Sequence, residues 1–397
     1  MSFDATRFRS TTVEIPVENG VESCEFVLPL RYTVLEFKGG GAYGTVISVH
    51  DAVTNTQMAI KKMQIPLPHL NQSSQCLHLK RAYREVALIA SVKHPNIISF
   101  ISAFTPQKNL HDFQEIYLVM ELMTTTLSRL HQPTSDILTH RTLSFLVYQM
   151  LCAVNHMHRM CIIHRDLKSA NIVVDKNCHL KVLDFGLARL TASDNALAMT
   201  GYVVTRWYRA PEIILNLGYS EKADVWSIGC ILAELINREV LFKGINSLDQ
   251  WNKIIAVRGT PDATFIQSLG PSLKSTARHI TSLPHEVKLP MEVVLPDDRF
   301  IPNSGEPRTQ QNSASARDLV GNMLAYDANE RISVEEALSH PYVRNWRKPD
   351  ETNAPLTVDN RYDQKIDLED HTLNEWKELL FNEIKCIEAQ GDIFAHA

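Results

Sequence analysis

His164-Arg165-Asp166-Leu167-Lys168-Ser169-Ala170-Asn171 is followed by Asp184-Phe185-Gly186, Thr200-Gly201-Tyr202 and Ala210-Pro211-Glu212. Asp166 can accept the proton of an attacking hydroxyl, and Lys168 can balance negative charge beside it. Asn171 offers an amide oxygen to a metal ion, and Asp184 adds the hard carboxylate oxygen that magnesium prefers. Either tripeptide, His-Arg-Asp or Asp-Phe-Gly, means little alone. Both in this order, with Asn171 and Asp184 thirteen residues apart, make a specific signal.

Working outward, Gly39-Gly40-Gly41-Ala42-Tyr43-Gly44-Thr45-Val46 has the form G-x-G-x-x-G-x-V. Glycines let a backbone approach phosphate groups closely. A dinucleotide fold opens a helix with such a string, whereas here the strand-like Thr45–Val49 follows. Tyr43 then falls at the tip of a hairpin. Lys61 closes the apolar run Met58-Ala59-Ile60-Lys61, and Glu85 lies in Arg81-Ala82-Tyr83-Arg84-Glu85. Singly these read as a solvated lysine and a helix-face charge. Together, after a glycine loop, they gain weight, because a strand lysine paired with a helix glutamate can position α- and β-phosphates.

Thr33–Phe37, Thr45–Val49, Met58–Lys61 and Ile116–Met120 read as strands, and Leu79–Val92 has helical spacing. After about Met123 the character turns helical, with Leu143–Met160 and the more uniformly apolar Ala223–Ile236. Ser333-Val334-Glu335-Glu336 and Thr372-Leu373-Asn374-Glu375 are capping boxes. The second opens a helix that carries Leu373, Trp376, Leu379, Leu380 and Ile384 on one face. Prolines and glycines between Gly259 and Pro307 predict a loop-rich region. The expectation is an α+β chain. Residues 1–31 form a peripheral lead-in, 32–123 a small β-rich lobe, 124–343 a larger helical lobe, and 344–397 an extension packed on it.

Of 397 residues, 44% are hydrophobic and 21% charged, an ordinary globular balance. A net charge of -5 argues against nucleic acid as the main partner. Seven cysteines without a CxxC pair read as reduced thiols. The start lacks an apolar h-region, and no apolar run approaches membrane-spanning length. The expectation is a soluble intracellular monomer that binds neither nucleic acid nor membrane directly.

From Tyr32 to Val343 these motifs resemble the eukaryotic protein kinases. The resemblance implies a two-lobed kinase fold, with ATP and Mg2+ as cofactors between the lobes. It implies Asp166, Lys168, Lys61 and Glu85 as catalytic residues and Asn171 and Asp184 as metal ligands. Nucleotide contacts are implied for Gly39, Gly40, Gly41, Ala42, Tyr43, Gly44, Val46 and Lys61. Met120 matches the gatekeeper, and Glu121 to Met123 match the adenine-binding hinge. Asp224 is implied to brace the catalytic loop, and Arg331 to pair with Glu212.

Thr200-Gly201-Tyr202, between Asp-Phe-Gly and Ala-Pro-Glu, resembles the dual phosphorylation site of MAP kinases. Two phosphates would add roughly -3 to -4 charges. The resemblance places Arg81, Arg84, Arg165 and Arg189 around phospho-Thr200, and Arg206 and Arg209 near phospho-Tyr202. It also has Thr205 bonding the catalytic loop. Lys80–Glu85, Val119–Met123, Asp249–Lys253, Arg331–Val334 and Glu375–Leu379 resemble the stress-activated c-Jun N-terminal kinase branch. There Asp367, Glu369 and Asp370 resemble an acidic docking patch. The implied partners are protein substrates with Ser/Thr-Pro sites, an upstream MAP kinase kinase, dual-specificity phosphatases and scaffolds, met in the cytoplasm and nucleus. Ser169-Ala170 departs from the usual proline-containing pair, and Gly201 stands where this branch has proline. Thr124 and Thr126 depart from the usual residues beyond the hinge, and the loop from Asp184 to Thr200 is longer. A scaffold that docks without catalysis is the rival reading, and the intact Lys61, Asp166, Asn171 and Asp184 speak against it. A metal-binding regulator is the second rival, and His156-Met157-His158 reads as core or surface histidine instead.

Overall fold

The structure, a computed structural model, describes residues 6–17, 20–41, 44–65, 70–130, 138–190, 206–269, 278, 282–300, 311–356 and 362–391. The lead-in holds a hairpin of β1 (Phe8–Val17) and β2 (Gly20–Pro29), with Phe8 opposite Pro29. The sheet that follows is built from β3 (Tyr32–Gly41), β4 (Gly44–Asp51), β5 (Thr56–Gln64), β6 (Phe100–Phe104) and β7 (Glu115–Glu121). Its strand order is β3-β4-β5-β7-β6, and every pairing is antiparallel.

Alternation along the strands explains why Ile116–Met120 is apolar without a break. Successive strand residues point to opposite faces. Ile116, Leu118, Met120 and Met63 pack in the main core, while Tyr117, Val119, Met58 and Ile60 pack with Phe26 and Leu28 of the hairpin. A sheet buried on both faces needs no polar row. The hairpin is therefore the lid on the outer face, and its burial of Phe26 and Leu28 was hidden in a stretch of mixed polarity. Lys62 also points outward, where it pairs with Glu115 at 2.6 Å and its ammonium lies over the rings of Phe26 and Tyr117.

The inner face packs on the helix Gln72–Ser91. It begins seven residues before the apolar spacing does, because the Asn71 side chain accepts from the Ser74 amide and starts the helix. Behind it lies the C-terminal helix Leu373–Gln390, opened by the Thr372/Glu375 capping box. Trp376 is 2% exposed, its ring 5.8 Å from Tyr83 and under the ammonium of Lys80. The extension thus braces the helix that carries Glu85.

The larger lobe centres on two helices, His140–Arg159 and Lys222–Asn237. Every residue from Ala223 to Asn237 is buried, in keeping with the mostly apolar sequence and including the polar Asp224, Ser227 and Glu234. Ser333 and Glu336 complete the other capping box. The described part of 259–307 holds only short elements, Ala263–Ser268, Met291–Val294 and the turn Asp297–Arg299. Among the described residues, no helix is long and apolar enough to cross a membrane.

Replacing Trp376 with Ala removes a large buried ring and should cost about 3–5 kcal/mol. A lower denaturant midpoint with an unchanged slope checks this; an unchanged midpoint would show that the C-terminal helix does not brace the fold.

Candidate active site

A cavity of about 460 Å³ lies between the lobes, lined by Gly39, Gly40, Gly44, Val46, Ala59 and Lys61 above. Glu121 to Met123 edge it, and Ala170, Asn171, Val173 and Asp184 close it below. Gly39, Gly40 and Gly41 end β3 and Gly44 opens β4, with Gly41 opposite Gly44, so the string belongs to a hairpin and opens no helix. At Gly44 the backbone has φ of 150°, and an added Cβ would meet the Lys62 carbonyl oxygen at 2.3 Å. Only glycine fits that turn.

Ala59 and Lys61 share one face of β5, so the sheet register alone aims Lys61 into the cavity. Its ammonium meets Glu85 Oε1 at 2.5 Å. Burial pushes the Glu85 carboxyl up, with Lys61 opposing and Asp184 adding to the rise. For Asp184, burial would also raise the pKa, but Lys61, Lys168 and the Gly186 amide outweigh it and hold it low. Asp184 therefore stays ionised. Three carboxylates (Glu85, Asp166, Asp184) face two ammonium groups (Lys61, Lys168), a local excess of negative charge that suits a divalent cation. Asn171 Nδ2 donates to Asp166 O at 3.0 Å and Oδ2 at 3.1 Å, which leaves its amide oxygen as acceptor. Asn171 and Asp184 thus fit a magnesium site, and the lysine and glycine turn fit a nucleotide triphosphate.

Asp166 sits beside Lys168, Nζ to Oδ2 at 2.7 Å. Burial lifts the Asp166 pKa against the pull of Lys168, which strengthens the carboxylate as a base. Asp166 lines a small second hollow of about 20 Å³ with Tyr208, Arg209 and Ala210, and it meets the cavity-lining Asn171 through the amide bond to its Oδ2.

Residues 32–343 match the protein kinase domain family. The chain belongs to the protein kinases. It is 51% identical over 393 residues to GLH-binding kinase 1 of Caenorhabditis elegans, covering 99% of this chain and 97% of that one. It is 43% identical over 371 residues to the stress-activated protein kinase JNK of Drosophila melanogaster, covering 94% and 95%. Within the family it is a MAP kinase similar to the c-Jun N-terminal branch, a serine/threonine kinase with the two-lobed kinase fold.

The kinase holds its catalytic loop from below. Asp224 accepts from the backbone amides of His164 and Arg165, each at 2.9 Å, and from His158 Nε2 at 2.9 Å. His158 is thus a buried partner of Asp224. His164 Nε2 lies 2.9 Å from the Leu183 carbonyl oxygen, which ties the loop to the strand before Asp184. Arg165 and Asp184 both have left-handed backbones, φ 70° and 67°. Such conformations cost about 1–3 kcal/mol and persist only where surroundings over-determine them. Arg331 grips Glu212 through two buried bonds of 2.7 and 2.8 Å.

Lys61, Glu85, Asn171 and Asp184 line one cavity, with Met120, Glu121 and Met123 at its hinge edge. Ala42, Tyr43, Thr200, Tyr202 and Thr205 lie outside the described residues, as do the side chains of Arg189 and Asp367. Glu369 and Asp370 are exposed just before the C-terminal helix. Arg84 donates to the Gly186 carbonyl at 3.1 Å, and Arg165 stacks over Tyr219 at 3.7 Å. Arg206 donates to the Ile245 carbonyl. The partnerships of His158, Tyr208 and Glu234 had no sequence signal, because each joins positions far apart in the chain.

With Asp166 as the expected base, its raised pKa should place the acidic limb of kcat/KM above that of a free aspartate. Lys168→Met removes a cation that lowers that pKa, so the limb should move to higher pH in a pH–rate profile; a shift to lower pH would contradict the assignment.

Proposed function

We propose that this chain is a proline-directed serine/threonine MAP kinase of stress signalling, using Mg-ATP and switched on by phosphorylation of Thr200 and Tyr202. The observation that supports catalysis is the cluster of Lys61, Glu85, Asn171 and Asp184 around one cavity, with Asp166 beside it. Bound Mg-ATP would supply the phosphoryl group and neutralise charge as it transfers. Lys61, held by Glu85, orients phosphate oxygens. Asp166 aligns the substrate hydroxyl and takes its proton at Oδ, and Lys168 offsets charge on the moving group. The set is complete, which disfavours the scaffold reading.

Arg84, Arg165 and Arg209 come from the helix Gln72–Ser91, the catalytic loop and the segment before Pro211. Phosphates on Thr200 and Tyr202 would bind such arginines by charge-assisted bonds and link those elements. The similarity to the stress-activated Drosophila kinase supports the signalling role. Asp367, Glu369 and Asp370 would attract basic docking motifs of activators, substrates, dual-specificity phosphatases and scaffolds. The working compartments would be cytoplasm and nucleus.

Treatment with MAP kinase kinases of different branches, followed by phosphate mapping and assay on a Ser-Pro peptide, tests this reading. Activity should appear together with phosphate on Thr200 and Tyr202, and Asp184→Asn should cut turnover several-hundred-fold, a barrier of about 3–4 kcal/mol. Full activation without phosphate at either residue would contradict the switch.

A further inference from the structure

Ser169 is 2% exposed, and its hydroxyl is committed. Ser169 Oγ donates to Glu234 Oε1 at 2.9 Å, the Tyr208 hydroxyl donates to Glu234 Oε2 at 2.8 Å, and the two hydroxyls lie 3.0 Å apart. Glu234 is 1% exposed and Tyr208 is 6% exposed. Burial first, and then the Glu234 charge, push the Tyr208 phenol far above its ordinary pKa, so it remains protonated. Two hydroxyl protons serve three close contacts. Both point at the carboxylate oxygens, which leaves neither buried hydroxyl without an acceptor.

This triangle joins two segments that must meet during transfer. Ser169 opens the short turn Ser169–Asn171, whose Asn171 amide bonds the Lys168 carbonyl at 2.9 Å. Tyr208 leads into Arg209-Ala210-Pro211, and its own carbonyl is held by Ser227 Oγ at 2.9 Å. One helix, Lys222–Asn237, therefore grips the catalytic loop twice: Asp224 holds His164 and Arg165, and Glu234 holds Ser169. The two acids are ten residues apart, about 15 Å along the axis. Asp166 and Lys168 are strung between those anchors. A proline at position 169 would carry no hydroxyl and leave Glu234 Oε1 without this donor.

We propose that Ser169 is a positioning residue for phosphoryl transfer: through Glu234 its hydroxyl fixes Asp166–Asn171 against the substrate-side segment Tyr208–Pro211. Ser169 lines neither the inter-lobe cavity nor the hollow beside Asp166. Its effect is on the geometry of Lys168 and Asn171, and it rests on the kinase activity without depending on proline preference.

The test uses the full chain in its activated form with a generic protein substrate, so that a failure of proline direction stays separate. Ser169→Ala, Ser169→Thr, Tyr208→Phe and the Ser169→Ala/Tyr208→Phe double variant are compared by steady-state kinetics and thermal unfolding. Loss of one bond to a buried charge should lower kcat roughly tenfold for Ser169→Ala. The KM for ATP should stay within about twofold, and Ser169→Thr should restore most of the rate, which a general loss of stability would not do. The double variant should fall less than the product of the single effects, because both hydroxyls act on one carboxylate. An unchanged kcat in Ser169→Ala, a loss that Thr does not rescue, or purely multiplicative losses would overturn the proposal. Should Ser169→Ala not fold, Ser169→Cys, of similar size but a poor donor, is read by the same criteria.

Discussion

One ammonium group serves two carboxylates, the buried Glu85 and the half-buried Asp184. Lys61 bonds Glu85 and, with Lys168, keeps the Asp184 pKa low, so strand β5, the helix Gln72–Ser91 and the Asp184 corner of the cavity meet at one ammonium. Buried ion pairs are expensive to desolvate and are weak contributors to stability, whereas removing one partner leaves an uncompensated charge costing about 3–5 kcal/mol. The pair therefore makes sense as a positioning device. Everything that fixes its two ends contributes to the site: the hairpin over the outer face of the sheet, and Trp376 behind the helix.

The lower half of the site depends on a second constraint. The helix Lys222–Asn237 is buried throughout, yet it carries Asp224, Ser227 and Glu234, each spent on hydrogen bonds to the catalytic loop or to Tyr208. Asp224 accepts from the Arg165 amide and so helps hold that residue's left-handed backbone in place. Other left-handed residues, such as Asn55 and Arg238, lie elsewhere in the chain, but Arg165 and Asp184 flank the proposed chemistry, where geometry is over-determined. The same rigidity makes Asp166 and Lys168 ready before any substrate arrives.

Much of this was legible in the chain because it depends on local order. The glycine turn, Lys61, Asp166, Asn171 and Asp184 sit in short motifs whose spacing carries the chemistry, and the capping boxes at Ser333 and Thr372 mark helix starts directly. The hairpin escaped because Phe26 and Leu28 are buried by a sheet face that only the pairing of β4, β5 and β7 creates. The start of the helix Gln72–Ser91 escaped because its first turns are polar and its signal is the single cap at Asn71. The Ser169–Tyr208–Glu234 triangle joins residues 39 and 65 positions apart in sequence. No periodicity reports such a meeting, and Ser169 read only as a departure from a pattern.

The central claim is that Lys61 and Glu85 act as one unit in catalysis. A double-mutant cycle of Lys61→Met and Glu85→Gln on kcat/KM tests it most directly. If the pair is one device, either single change should cost nearly as much as both together. Losses that multiply in the double variant would show the two residues acting independently, and would contradict the account.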